Sequence, residues 1–189
     1  MTTVIGVSGD AGSFSEEAAL VYAKRAGIHP LLAYLSDMEG VLLAIEAGGV
    51  DIGIFPVVNL SGGLVNSAFK AMGNHLFTPI DELWLEVNQC LLVLPGMRLD
   101  QIEHIVSHPQ AFLQCAVYLQ NQLKDVCRTE WINTAKSAKD LATGILSPTT
   151  AVIASRRSAE LYGLATLASN IQDSHPNLTA FILAKKNIG

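Results

Sequence analysis

Short apolar segments alternate with helix-forming segments along almost the whole of this 189-residue chain. We predict strands at 3–7, 50–57, 83–94, 102–106, 126–132, 151–154 and 179–184, with a further short strand at 164–168. We predict helices at 14–26, 37–47, 134–142 and 156–162, and another from about 108 to 123. A further helix follows the segment 59–63 and ends at about residue 73. Alternation on this scale is typical of an α/β fold with mostly parallel sheets flanked by helices.

The chain length suits one domain or two small lobes, since domains usually contain about 100–200 residues. Two segments are candidate linkers, at 77–80 and 164–168. If the chain crosses at both, one lobe comprises 1–80 plus 165–189 and the other comprises 81–164. Ligands in such architectures bind at the C-terminal ends of strands, so we expect a ligand cleft between the lobes.

Composition excludes several classes of protein. Half of the residues are hydrophobic and 15% are charged, which is incompatible with disorder. No apolar run approaches the roughly 18 residues of a membrane span, and the first residues lack the charged start of a signal peptide. A net charge of −5 without a basic run argues against nucleic acid and membrane surfaces as partners. The scattered Cys90, Cys115 and Cys127 suggest neither a zinc site nor a disulfide framework, so we expect a cytoplasmic protein.

Three junctions between a loop and a predicted helix are candidate anion sites, at 9–13, 59–63 and 107–110. A helix N-terminus carries a partial positive charge and free N–H groups, so it can hold a carboxylate without Arg or Lys. Ordinary helix capping is the competing explanation for each junction, and Ser13 and Ser36 have capping-box spacing with Glu16 and Glu39.

Motifs of the common catalytic classes are absent from the sequence: there is no GxSxG, P-loop, HExxH or GxGxxG. We interpret His108 as a capping residue rather than a general base, and Cys90 and Cys115 as inert buried thiols. Trp84 and Trp131 are interpreted as packing residues. The residues alone therefore predict a two-lobed α/β protein that binds a small anion.

Five motifs follow one another along the chain: GDAGSFSEEAAL at 9–20, DIGIFPVVNLSGGLVN at 51–66, SHPQAFLQC at 107–115, the region 151–173 that includes AVIAS and LASNIQD, and NLTAF at 177–181. Together and in this order they resemble the motifs of the prephenate dehydratase family. The resemblance covers nearly the whole chain. It implies a fold like that of the type 2 periplasmic binding proteins, with two lobes around a cleft.

The resemblance also implies a lyase activity: conversion of prephenate to phenylpyruvate, water and carbon dioxide, in phenylalanine biosynthesis. It implies no metal and no organic cofactor, and a homodimer is a possible assembly. The family commonly carries a C-terminal ACT domain that senses phenylalanine. Because the sequence ends at Gly189, directly after the last motif, we expect that module to be absent.

By the family's motifs, Thr179 is the catalytic residue that supplies a hydroxyl donor to the leaving ring hydroxyl. The remaining site residues are expected to bind the substrate, through side chains or through backbone N–H groups: Ser13, Asn59, Ser61, Gly62, Gly63, Ser107 and Gln114.

The chain departs from the family pattern at four positions. Val58 replaces a Glu, Ala180 replaces an Arg, Gln89 replaces a His, and Asp10 replaces a Pro. The first two changes remove charges from the expected site, and they leave two alternatives open. One is a non-aromatising prephenate decarboxylase, and the other is a non-catalytic binding or sensing protein for a small anion.

Overall fold

A computed structural model describes residues 2–187. Along the chain the elements are β1 (Val4–Ser8), α1 (Phe14–Ala26), β2 (Leu31–Leu35), α2 (Met38–Ala47), β3 (Ile52–Asn59), β4 (Gly63–Leu64), α3 (Asn66–Met72), β5 (Phe77–Glu86), β6 (Cys90–Val93), β7 (His104–Ser107), α4 (Pro109–Gln114), α5 (Ala116–Gln122), β8 (Cys127–Glu130), α6 (Thr134–Ala142), β9 (Thr150–Ala154), α7 (Arg156–Tyr162), β10 (Ala165–Ser169) and β11 (Leu178–Lys186). A short 3-10 turn at Leu99–Gln101 precedes β7.

The chain divides into two compact units. Unit 1 contains the described residues up to Asp10, Phe14–Glu86 and those from Leu178 on, and unit 2 contains Ala11–Ser13 and Val87–Asn177. The predicted lobe boundaries therefore need correction. The first moves from 80/81 to 86/87 because β5 continues to Glu86 in the sheet of unit 1, and the second moves from 164/165 to 177/178 because β10 pairs with β6 in unit 2.

The sheet of unit 1 has the order β2-β1-β3-β11-β5, with β4 paired to β3. β1 is parallel to β2 and β3, whereas β11 is antiparallel to β3 and β5. The sheet of unit 2 has the order β10-β6-β9-β7-β8, in which β7 is parallel to β8 and β9, and β6 is antiparallel to β9 and β10. The α/β class is confirmed, but both sheets are mixed rather than mostly parallel.

Helices cover both faces of each sheet. In unit 1, α2 and α3 pack on one face with Phe55, and α1 packs on the other face with Ile54 and Phe181. In unit 2, α4 and α5 cover one face, and α6 and α7 cover the other. Strands buried on both faces read as continuous apolar runs. All five residues of β9 are buried, which is why that strand was recognisable in the sequence.

The segment 83–94 is two strands, not the single strand predicted. β5 ends at Glu86 and pairs with β11, whereas β6 begins at Cys90 and pairs with β9 and β10. An unbroken apolar pattern does not show that its two halves enter different sheets. The predicted helix up to 123 is likewise divided into α4 and α5 at Cys115. β2 was not predicted, because it is an edge strand whose first residue, Leu31, is 62% exposed.

The second predicted capping box is also wrong. Asp37, not Ser36, is the N-cap of α2, and its Oδ1 accepts a hydrogen bond from Gly40 N at 2.8 Å.

None of the helices in residues 2–187 combines the length and the apolar character that crossing a membrane requires.

His75 lies between two carboxylates of α2. Its Nδ1 is 2.7 Å from Glu46 Oε2, and its Nε2 is 2.8 Å from Glu39 Oε1. The hydrogen bonds to Glu46 and then Glu39 raise the pKa of His75 above its usual value. Glu46 also accepts from Leu76 N at 2.7 Å, so this carboxylate fastens the start of β5 to α2.

Candidate active site

Thr179 and Asn59 lie opposite each other on two antiparallel strands of unit 1. β11 pairs with β3 in a register that sets Thr179 against Asn59, and both residues are buried. Asn59 Nδ2 donates to Thr179 Oγ1 at 2.9 Å and to the Leu178 carbonyl at 3.3 Å. The strand pairing therefore brings together two of the predicted site residues and fixes the Thr179 hydroxyl.

The Asn59–Thr179 bond leaves the Thr179 proton available. Because Oγ1 accepts from an N–H group, the hydroxyl hydrogen must point elsewhere. No acceptor for that hydrogen is found among residues 2–187. A hydroxyl held in this way is a donor for an oxygen atom of a ligand.

The turn after β3 is closed by the same asparagine. Asn59 Oδ1 accepts from Ser61 N at 3.0 Å and from Gly62 N at 2.7 Å, which is an Asx-type turn. Gly63 follows with a φ of 73° and begins β4. The junction 59–63 is therefore a strand-to-strand turn and not the predicted helix start. The backbone donors expected of Ser61 and Gly62 are already engaged by Asn59.

The junction at Ser107 begins a helix as predicted, but its donors are also engaged. The Ser107 hydroxyl is fully buried and donates to the Ile153 carbonyl at 2.7 Å, which ties β7 to β9. His108 is the N-cap of α4, and its Nδ1 accepts from Gln110 N at 3.1 Å. Burial lowers the pKa of His108, which favours the neutral ring that this cap requires. The predicted capping role of His108 is confirmed.

Gln114 belongs to a cluster of side-chain amides in unit 2. Its Oε1 accepts from Gln89 Nε2 at 3.0 Å and from Asn177 Nδ2 at 3.3 Å. Asn177 also donates to the Val87 carbonyl at 3.0 Å. In the sequence, Asn177 falls within the last motif and Gln89 is a departure from the family pattern, but neither spacing nor residue type shows that they reach Gln114.

The loop ahead of α1 is fastened to α7 inside unit 2. The Gly12 carbonyl accepts from Ser155 Oγ at 2.6 Å and from Ser158 Oγ at 2.9 Å, and the Ala11 carbonyl accepts from the Tyr162 hydroxyl at 2.8 Å. Ser13 follows this loop and is buried directly before the first residue of α1. Gly12 has a φ of 87°, and a Cβ there would lie 2.6 Å from Ser158 Oγ.

Val58 and Ala180, the two departures that remove charges, are partners in one strand register. Ala180 of β11 lies opposite Val58 of β3. Ala180 is buried, and Val58 packs against the same apolar cluster on the α2 and α3 face of the sheet. Residues directly opposite on neighbouring strands share a face. The positions where the family resemblance places Glu and Arg are thus occupied here by a matched apolar pair.

Cys115 and Trp131 have structural explanations, whereas Trp84, predicted to be a packing residue, is 48% exposed. Burial raises the pKa of Cys115 to about 12, so its thiol stays protonated and the predicted inert role is confirmed. Trp131 donates its indole N–H to Asp140 Oδ2 at 2.9 Å and packs against the core of unit 2.

The chain matches the family model described as prephenate dehydratase over residues 5–188. It is 34% identical over 182 residues to arogenate dehydratase 1 of Petunia hybrida, a match that covers 96% of this chain and 42% of the relative. It is 30% identical over 185 residues to the bifunctional chorismate mutase/prephenate dehydratase of Enterobacter agglomerans, covering 97% of this chain and 47% of that protein. The chain therefore spans less than half the length of these curated relatives.

Solved structures agree on the fold. The prephenate dehydratase from Arthrobacter aurescens, determined in complex with L-Phe, matches with a TM-score of 0.87 at 25% identity, over 99% of this chain and 61% of that one. A periplasmic substrate-binding protein from Coxiella burnetii matches with a TM-score of 0.51 at 17% identity, over 98% and 85% of the two chains, which supports the predicted likeness in fold alone. This chain belongs to the prephenate dehydratase family.

Proposed function

We propose that this chain catalyses the decarboxylative dehydration of prephenate, or of arogenate, in which an amino group replaces the side-chain ketone. The observation that carries the proposal is the Thr179 hydroxyl, held by Asn59 at 2.9 Å with its own proton available. The family membership supports the same reaction, and names of relatives include both substrates.

The reaction requires a donor at one oxygen atom. The bond between the ring and its carboxylate breaks, and the electron pair enters the ring while the bond from the ring to the hydroxyl breaks. Carbon dioxide leaves, the ring becomes aromatic, and the hydroxyl departs as hydroxide, which takes up a proton from solvent to give water. Negative charge develops on the departing hydroxyl oxygen, so a donor positioned there lowers the barrier. One such donor contributes about 10²–10³ in rate.

Thr179 fills this role without being ionised. Its hydroxyl donates a hydrogen bond to the leaving oxygen, while Asn59 keeps Oγ1 in place. A buried, pre-aligned donor costs no reorganisation when charge appears. Asn59 is therefore a positioning residue, because the four bonds described above already use both of its amide donors and place two N–H groups on its oxygen.

Substrate carboxylates need donors of their own. Gln114 is the strongest candidate among the predicted binding residues, because its oxygen accepts two hydrogen bonds whereas its nitrogen has no acceptor among the residues that the structure describes. Contacts from Ser13, Ser61, Ser107 and the glycines 62 and 63 remain predictions, as do a homodimer and a cytoplasmic location. Val58 and Ala180, where the family pattern has Glu and Arg, form one apolar pair, and the proposed reaction assigns no catalytic role to either position.

Product identification tests the proposal and separates its alternatives. We would incubate the chain with prephenate and with arogenate and identify the products by mass spectrometry. Phenylpyruvate from the first, or phenylalanine from the second, is the expected result, and the ratio of kcat/KM values identifies the preferred substrate. A non-aromatic dihydro product would instead indicate a decarboxylase. Tight binding without any product would indicate a sensing protein.

A further inference from the structure

The amide cluster around Gln114 ends on a backbone carbonyl that determines the direction of every amide in it. A carbonyl oxygen only accepts, so Asn177 must turn its nitrogen towards Val87 O. The same nitrogen faces Gln114, which must therefore present its oxygen. That oxygen in turn requires a donor from Gln89, and Gln89 Nε2 supplies it. No member of the cluster can be turned round without setting two donors or two acceptors against each other.

This arrangement has one unfavourable consequence and one useful one. Gln89 is 3% exposed, and its Oε1 is buried without a hydrogen-bond partner in the described part of the chain. An unpaired buried acceptor destabilises a folded protein, so the cluster is not arranged for stability alone. What it gains is at Gln114: within residues 2–187, neither N–H of its Nε2 has an acceptor, and the side chain is only half-buried.

We propose that Gln89 and Asn177 are positioning residues that fix Gln114 as a two-donor group for a carboxylate of the substrate. This rests on the proposed function, because the ligand is the anionic substrate of that reaction. Two N–H groups on one nitrogen suit an oxygen acceptor, and hydrogen bonds to a charged acceptor are the stronger kind. Without its two donors, the Gln114 amide would be free to rotate and would present its oxygen to the anion about as readily as its nitrogen.

Gln89 also accounts for one of the departures from the family pattern. The resemblance places a His at this position, and an imidazole N–H is a donor like the Gln89 amide. What the position must provide is a hydrogen-bond donor to Gln114 Oε1, which either residue supplies.

The test is a double-variant cycle in substrate binding. Calorimetric titration of prephenate and arogenate into a Thr179→Val chain measures affinity without turnover. Gln89→Met removes the donor with little change in shape, and we expect it to weaken binding about three- to tenfold, the equivalent of one hydrogen bond. Gln89→His should stay near the parent affinity. In a Gln114→Leu background, Gln89→Met should have no further effect. Gln89→Leu serves as a second apolar variant if Gln89→Met does not fold.

Each outcome has a distinct meaning. Equal binding by Gln89→Met and the parent would overturn the positioning role, and so would the same loss in both backgrounds, which indicates a structural effect. A loss with Gln89→His as large as that with Gln89→Met would also overturn it. If the Thr179→Val chain binds neither compound and the parent converts neither, the proposed function fails with it. If the parent converts substrate and Gln89→Met leaves the substrate affinity unchanged, only the positioning role fails.

Discussion

Asn59→Asp separates the structural part of Asn59 from its effect on Thr179. The variant keeps the shape and the acceptor, so the bonds from Ser61 N and Gly62 N, at 3.0 and 2.7 Å, survive. The bond to Leu178 O, at 3.3 Å, loses its donor, whereas the pair with Thr179 Oγ1, at 2.9 Å, is kept with its direction reversed. At about 0.5–1.5 kcal/mol net for one lost bond, the free energy of unfolding falls by about that amount. The charge placed beside the Leu178 carbonyl adds to this cost.

The same change reverses the hydrogen bond with Thr179. A carboxylate only accepts, so it takes the Thr179 proton that the parent offers to the substrate. We expect kcat to fall about 10²–10³-fold, the contribution of one positioned hydrogen-bond donor, with a much smaller change in KM. Urea denaturation gives the stability and product absorbance gives the rate. Asn74→Asp, on an exposed asparagine of unit 1, is the control and should change neither. A kcat for Asn59→Asp within a few-fold of the parent would refute the reasoning.

Three further predictions concern stability, all measured by urea denaturation. The raised pKa of His75 means that His75→Gln lowers stability most below about pH 6.5, and the difference from the parent should shrink as pH rises through that raised pKa; a constant difference would contradict it. Gly12→Ala should lower the free energy of unfolding by about 2–5 kcal/mol, because a left-handed φ is combined with a clash of the added Cβ. Gly27→Ala has a left-handed φ but open space around the added Cβ, so it should cost only about 1–2 kcal/mol. Equal costs for the two variants would contradict the clash. Val58→Glu should be destabilising, and Ala180→Arg should recover about 0.5–3 kcal/mol of that loss; additive effects would show that the pair is not coupled.

Local signals in the sequence predicted single helices well and sheet membership poorly. The structure has α1, α6 and α7 at the predicted residues, because caps and stop signals lie within the helix itself. The break between β5 and β6 depends on pairing with distant strands, which the apolar run 83–94 does not record. The edge strand β2 lacks the buried pattern that marked β9.

For the candidate site, too, the sequence predicts individual residues better than it predicts their contacts. The family motifs predict Thr179, Asn59 and Gln114 as site residues, but they cannot show which atoms these side chains bond to. The sequence at 59–63 suggests the start of a helix. In the structure it is a turn, in which Ser61 N and Gly62 N donate to Asn59 Oδ1. Val58 and Ala180 are 122 positions apart, so the sequence shows only two separate losses of charge. The strand register shows that the two residues lie opposite each other. Gln89 is visible in the sequence only as a departure from the family pattern, because its hydrogen bond to Gln114 of α4 depends on the fold.

The central claim is that the Thr179 hydroxyl, held by Asn59, donates to the leaving oxygen of the substrate. The most direct measurement compares kcat for Thr179→Val and Thr179→Ser on the preferred substrate. Valine keeps the branched shape without the hydroxyl, so kcat should fall by about 10²–10³, whereas serine keeps the donor and should retain most of the rate. Similar rates for the two variants, at similar stability, would contradict the account.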